Sequence, residues 1–290
     1  LMRSSAASDV YKRQHLKVGT FKIEAHNTKL GEYFIQMIMR MAIFEQVNDI
    51  YVTIFEKHRG LVNLLKRYGF EKYGTKGKPE NPESVYVKPI PSKCDDLCKC
   101  FPFIHTKGKN KYMLSIYPKY HTPLFPDSIL NTEQRERDEL IKDVSHTNSI
   151  HKIYLCKMDN VAQLRPGDIL IIYRTKDGSG PAYYKSVATS ICVVEEIKKP
   201  CDFENLDEFI NYTNYYSIFD KKTLSEFYNV RKTVVIKMTY NAAFNHRIIN
   251  KELVEEVKLN PEYWGFFKLD DEQFNDIINR GKIDDSLIID

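Results

Sequence analysis

Apolar and polar positions alternate most regularly between residues 17 and 73. Residues 18–23 form a short, β-prone run. After a polar stretch, Gly31 opens a segment in which Phe34, Ile35, Ile38, Met41, Ala42 and Phe44 recur near the 3.6-residue period of a one-sided helix. Asn48-Asp49 breaks that period. Residues 50–55, Ile-Tyr-Val-Thr-Ile-Phe, are β-branched and aromatic, as in a buried strand. Leu61, Leu64 and Leu65 then give the inner face of a second helix, and Gly69 suits its C-terminus. Two strands separated by a helix of this length predict a β-α-β unit with near-parallel strands.

The pattern loosens after Phe70. A loop through Gly74, Gly77, Pro79 and Pro82 leads to a strand at 84–88 that closes the first domain, and Pro89 and Pro91 stiffen an exposed linker at 91–109. From Lys111 the runs are shorter. Strands are predicted at 112–117, 151–156, 190–197 and 232–238, and another, half-buried by alternation, follows Pro166-Gly167. That pair fits the centre of a type II turn. Residues 118–125 read as a turn into a short helix, and 206–212 and 223–227 as helices. Residues 132–142 are charged nearly throughout, a solvated face or connector. Many short strands with few helices predict a small, partly closed barrel.

Composition fits a two-domain, intracellular chain. Its 290 residues are 42% hydrophobic and 28% charged, enough to bury two cores. No run of about 18 apolar residues predicts a membrane span. A net charge of +4 is compatible with nucleic acid or a phosphorylated cofactor and diagnostic of neither. Six cysteines in a chain this long predict free thiols in a reducing compartment, hence a cytoplasmic location. Cys94, Cys98, Cys100 and His105 offer a tetrahedral ligand set, but the spacing lacks paired Cys-x2-Cys knuckles, so no metal is expected. Residues 1–14 have neither an apolar h-region nor any periodicity.

The first candidate site is the loop 24–31. A loop that leaves a strand and enters a helix aims backbone N–H groups and the positive dipole end at one point, which suits a phosphate. The plainer reading is that Gly31 helps the chain turn and Lys29 is solvated surface. Glu56 and His58, at the end of the second strand, are candidate catalytic groups, with surface placement the alternative.

The order strand, glycine-bearing loop, helix, strand, helix and Gly69-Phe70 resembles the C-terminal half of a GNAT-superfamily N-acetyltransferase over residues 15–90. The resemblance implies an α/β fold, a partial GNAT unit with a mixed sheet and helices. It also implies acetyl-CoA as cofactor, with Ile23 pairing with the pantetheine arm and Lys29, Leu30, Gly31 and Glu32 offering N–H groups to the pyrophosphate. An acceptor amine would attack the thioester directly, and a backbone N–H would hold the oxyanion. The sequence departs from the family in three places. Lys29 stands where the first glycine is expected, the loop is about two residues short, and Leu65 replaces a tyrosine, so a thiolate would need another proton source. Residues 1–14 resemble a translated sequencing-adapter junction, which implies that the N-terminal part of the unit is missing from this chain.

Residues 110–283 resemble the PUA-like superfamily in its ASCH and EVE branches, through 114–120, 164–174, the strand at 193–197 and 268–278; 284–290 form a tail. This resemblance implies a mostly β barrel that meets RNA or a modified base. Its candidate contacts are Lys119, Tyr120, Arg165, Asp168, Tyr173, Arg174 and Lys176, since aromatic faces stack on bases while cations neutralise phosphates. The turn before 169 and the glycine loop at 176–180 would form two cationic rims of one groove. In the plainer reading Tyr173 caps a strand and Asp168 bonds within its turn. Trp264 reads as a core anchor. The two-part architecture resembles a bacterial or phage family with some members carrying an upstream PIN-like nuclease domain, which implies an RNA-directed, toxin–antitoxin or defence role. The rival expectation is a non-catalytic nucleic-acid-binding protein on a degenerate GNAT scaffold.

Overall fold

The computed structural model describes residues 15–19, 29–91, 95–128, 145–178 and 180–289. The chain divides into two compact units, Leu1–Ile104 with Asp284–Ile289, and His105–Ile283. Residues 1–14, Ile23, Cys94 and the charged segment 132–142 lie outside the described residues.

The first unit begins with strand β1 (His15–Val18), helix α1 (Leu30–Phe44) and strand β2 (Asp49–Ile54). β1 and β2 pair in parallel, His15 opposite Asp49 through Val18 opposite Val52, so the first strand lies ahead of the expected run 18–23, of which only Val18 and Gly19 are among the described residues. Helix α2 (Arg59–Arg67) and strands β3 (Glu71–Lys76) and β4 (Glu83–Pro89) complete a four-stranded sheet in the order β1-β2-β4-β3. β2 alternates half-buried and buried, as a strand covered on one face should.

Two expectations are corrected in these elements. The buried stripe of α1 is Ile35, Met39, Ala42 and Ile43, whereas Met41 is exposed and Phe44 is 82% exposed. Both stripes fit a helical period, and only packing against the sheet chooses between them. β3 replaces the expected loop. It is exposed nearly throughout and carries no apolar alternation to betray it; its main-chain pairing with β4 makes it a strand.

The segment expected as an exposed linker is instead packed. Asp96 caps a short helix, α3 (Leu97–Cys100), accepting from the Cys98 and Lys99 amides at 2.9 Å. Phe101, Phe103 and Ile104 are buried, with Phe101 edge-on to Tyr68 at 6.0 Å. Cys98, Cys156, Cys192 and Cys201 are thiols outside any disulfide, but Cys100 is disulfide-bonded, which corrects the all-thiol expectation and removes one thiolate from the suggested ligand set.

Gly69 shows why the corner after α2 needs glycine. Its φ is +83°, and an added Cβ would stand 2.7 Å from the Lys99 carbonyl oxygen. The carbonyls of Tyr68 and Lys99 are turned toward Lys88 of β4, whose Nζ donates to both, to Tyr68 at 2.8 Å. Lys88 is fully buried.

The second unit is built on a six-stranded sheet of β5 (Lys111–Ile116), β6 (His151–Cys156), β7 (Ile169–Arg174), β8 (Val187–Lys198), β9 (Val234–Ile249) and β10 (Phe266–Leu269). The order is β10-β5-β7-β8-β9-β6; β5 and β7 are parallel and the other neighbours antiparallel. The sheet is open, not the expected barrel: β10 and β6 stand at its two ends. One face buries Leu114, Ile116, Leu170, Ile172, Ile236 and Met238. The other buries Ile153, Leu155 and Val235 under Phe203, Phe209, Phe219 and Leu224, which come from and around helices α5 (Leu206–Thr213) and α6 (Lys221–Tyr228). β7 is buried at all six positions, where alternation predicted a half-buried strand. Helix α7 (Asp271–Gly281) follows β10 through an Asp270–Gln273 capping box. Among the described residues, no helix is long and apolar enough to cross a membrane.

Burial pushes the Lys88 ammonium down to about 7 from an ordinary value of 10.5. Folding thus releases a proton between those two values, and stability rises as pH climbs from about 7 to about 10.5. Urea unfolding of the first unit should show this rise, and Lys88→Met should flatten it. An equally steep rise in the variant would assign the effect to another group.

Candidate functional site

In the first unit, the candidate phosphate site is the entry to α1. Lys29 precedes the helix in the left-handed conformation, φ 57° and ψ 18°, which favours glycine. The position where the GNAT resemblance expects a glycine thus has a glycine-like backbone although its side chain is lysine. The Glu32 amide donates to Lys29 O at 2.9 Å and is committed to the helix. Leu30 and Gly31 occupy the first two helical positions, whose N–H groups have no intrahelical acceptor. The buried Glu32 side chain puts negative charge in the first turn, with the Lys29 Nζ 3.9 Å from it. The described end of the loop thus leaves the Leu30 and Gly31 amides outside the helical ladder, beside the Lys29–Glu32 ion pair. Ile23 and most of the segment that would diverge from β2 lie outside the described residues.

Glu56 follows β2 and helps line a hollow of about 480 Å³ with Lys57, Arg59 and Lys66. Its Oε1 accepts from Ser84 Oγ at 2.8 Å, Lys72 Nζ at 3.0 Å and Tyr86 OH at 3.0 Å. These hydrogen bonds, Ser84 first, hold the carboxyl down to about 2. A carboxylate this acidic is ionised at neutral pH and is a weak proton acceptor. His58 caps α2 from an exposed position without a side-chain capping bond.

In the second unit the structure separates the proposed nucleic-acid contacts. Tyr173 is 3% exposed; its OH accepts from Asn250 Nδ2 at 2.8 Å and its ring lies 5.3 Å from Trp264. Arg174 is 1% exposed, and its guanidinium donates to Asp177 Oδ2 at 2.9 Å. Neither offers a face to a base or phosphate, so the expected groove along β7 has no aromatic floor. Asp168 is buried and accepts from the Arg165 amide at 2.9 Å and from Asn110, as a turn residue. Lys119 lies 4.6 Å over the ring of Tyr120, which is half-buried against Phe219. Lys176 donates to Gly180 O at 2.9 Å.

The β5–β7 register, Ile116 opposite Arg174, puts Lys119 and Lys176 beyond one end of the sheet and Arg165 beyond the other. Arg165 has company there. Val234 pairs with Cys156 and Val235 with Lys198, so the ends of β6 and β8 meet the start of β9. Lys157, Lys198, Lys199, Arg231 and Lys232 thereby gather at one edge. Lys199, Arg231 and Lys232 line a hollow of about 390 Å³ with Ala162 and Val234; no acidic residue lines it. Lys157 lies 5.3 Å over Phe227 and Lys198 4.5 Å over Tyr212. Two acids stand nearby: Glu196 is engaged by Lys198 at 3.3 Å and by Tyr212 OH at 2.6 Å, and Asp202 accepts from the Lys199 amide at 2.7 Å.

Sequence reasoning missed this cluster because its cations are pairs and singles scattered between positions 157 and 232. A buried polar line was missed as well. His121 Nε2 is 2.8 Å from Thr189 Oγ1, and Ser128 Oγ is 2.8 Å from Tyr240 OH. Burial, with the charges of Arg174 and Arg247, pushes His121 down to about 3. It is a neutral core histidine.

No family model matches the sequence, and no curated protein matches it. Among solved structures, the ASCH protein of Zymomonas mobilis aligns with a TM-score of 0.39 and 8% identity, covering 58% of this chain and 94% of that one. Two single-site mutants of it align with TM-scores of 0.38 and 0.39 at 7% identity. This is a similarity to ASCH structures.

Tyr173→Ala should lower the stability of the second unit by about 3–5 kcal/mol, the usual loss for a truncated core aromatic, in urea unfolding. A variant as stable as the parent would return Tyr173 to the surface.

Proposed function

We propose that the protein binds nucleic acid through the second unit, with the phosphate backbone held at the basic edge of the six-stranded sheet. The supporting observation is the hollow lined by Lys199, Arg231 and Lys232 without an acidic residue. A cluster of exposed cations on one rim attracts a polyanion by releasing its condensed counterions. Lys157 and Arg165, at the same end, extend the footprint. The cations over Phe227 and Tyr212 hold their stems on aromatic faces, which reduces the side-chain entropy lost on binding.

Affinity for a short single-stranded RNA should fall steeply with salt, and Arg231→Gln should flatten the log–log slope by about 0.7, one contact's worth for a single strand. Filter binding over a salt series measures both. Affinity indifferent to salt, or undetectable at low salt, sinks the reading.

A second reading concerns the first unit: a GNAT-type scaffold that takes acetyl-CoA, with the pyrophosphate at Leu30 and Gly31. It is supported by the β1-β2-β4-β3 order with parallel β1 and β2 around α1, and by the left-handed backbone at Lys29. Bound, the cofactor would supply an activated acetyl thioester. The chain's own part is to hold the phosphates, while the low-lying carboxyl of Glu56 argues against that residue as the base. Calorimetric titration with acetyl-CoA should saturate, and Gly31→Val should abolish the heat by placing a branched side chain at the phosphate position. No heat from the unaltered protein leaves the unit a scaffold.

A further inference from the structure

The basic hollow has a neighbour of different chemistry. A second hollow, of about 430 Å³, is lined by Asn160, Asn260, Glu262, Tyr263, Phe267 and Lys268 among others. Its volume lies in the range of about 300–1,000 Å³ typical of small-ligand sites. The Tyr263 ring is 62% exposed, and Phe267 is half-buried, edge-on to Trp264 at 5.6 Å. Two exposed amides, a carboxylate and an ammonium surround these rings.

A single 3₁₀ turn, Asp159–Gln163, separates the hollows. Asn160 lines one and Ala162 the other. Three residues complete a 3₁₀ turn, so positions two apart project about 120° from one another and only about 4 Å apart along the axis. The turn packs against β10, which carries Phe266 and Phe267. Two recesses therefore open on either side of one narrow divider.

Their linings sort what each can take. The hollow with three cations and no acid suits a phosphate. The hollow with Glu262 also holds Lys268, so its lining charges balance, and it offers what a base edge requires: amides that donate and accept together, as asparagine does to adenine, and a carboxylate that accepts from an exocyclic amine. Tyr263 and Phe267 offer the aromatic surface on which an unstacked base rests.

We infer that the hollow at Asn160, Asn260 and Tyr263 is a nucleobase subsite for single-stranded nucleic acid, taking a base whose neighbouring phosphate lies across the Asp159–Gln163 turn. This rests on the phosphate-binding reading of the basic edge. A base in a duplex is stacked and cannot enter such a recess, so the occupant is single-stranded.

Fluorescence anisotropy on the full chain separates the two claims. The probes are a labelled single-stranded RNA, the same strand with abasic positions, the matching DNA strand, and a duplex, each over a salt series. One stacked base is worth about 1–3 kcal/mol, so the intact strand should bind roughly 5- to 150-fold more tightly than the abasic one. Tyr263→Ala and Asn260→Ala should erase that preference and leave the salt slope intact; Arg231→Gln should do the reverse. Thermal melts confirm that the Tyr263 and Asn260 variants fold. A preference for the intact over the abasic strand supports the subsite, and the tighter of the RNA and DNA strands names its sugar. Equal affinity for intact and abasic strands, with the salt slope present, overturns the base subsite alone, as does a preference for duplex. No binding of any probe at low salt overturns the phosphate reading, and the subsite with it.

Discussion

The second unit depends on the hydrogen-bond ladder of β9. Its sixteen residues pair with β8 along one side and β6 along the other, and the ladder to β8 shifts register three times along its length. Each shift inserts residues that bend the strand and increase its twist. The ladder decides which chain ends coincide. Val234 opposite Cys156 and Val235 opposite Lys198 bring lysines and an arginine from three separate stretches to one edge. A one-residue slip of β9 would also turn Val235 out from under the helices and Ile236 out of the opposite core, since successive side chains face opposite ways. The apolar faces thus enforce the register, and the register builds the basic edge.

Where a charge sits decides what it does. Arg174 and Lys88 carry the same formal charge as Arg231 and Lys199, yet the first two are enclosed and the last two exposed. Lys88 spends its donors on the Tyr68 and Lys99 carbonyls, stitching the corner after α2 to α3 in a place too crowded for any Cβ on Gly69. Arg174 donates to Asp177 at the end of β7. Such groups hold loops to strands, and only the exposed cations remain for a polyanion. Glu56 shows the same logic in an acid: Ser84, Lys72 and Tyr86 make it a stable anion that ties the β2 end to β3 and β4.

Edges are handled without charge. β6 ends the six-stranded sheet, yet all its residues are buried and its Ile153 amide donates to Tyr216 O at 2.8 Å in the stretch between α5 and α6. Covering an edge in this way removes a template for intermolecular pairing. The basic hollow lies at the strand ends, beside the start of β9, and the second hollow lies against the other outer strand, β10.

The sequence by itself determined the β-α-β unit, because its 3.6-residue and two-residue periods are set by local geometry and survive in any context. It also determined the turn at Pro166-Gly167, where Gly167 has φ +88°, and the helix stop at Gly69, because glycine is the residue that accepts those angles. It could not determine which stripe of α1 is buried, or that β3 is a strand, since sheet partners and not composition decide both. Residues 239–249 of β9 went unread because Asn241, Ala242, Ala243 and Asn245 have little intrinsic strand preference, and the strand is held there by the pairing of Ala242, Ala243, Ile248 and Ile249 with β8. The expected nucleic-acid contacts were chosen by residue type within one stretch, and burial withdrew Tyr173 and Arg174 from them. The basic edge and the amide-lined hollow are products of long-range pairing, which no local pattern encodes; only the tertiary structure set Lys157, Lys199, Arg231 and Asn160 around one turn.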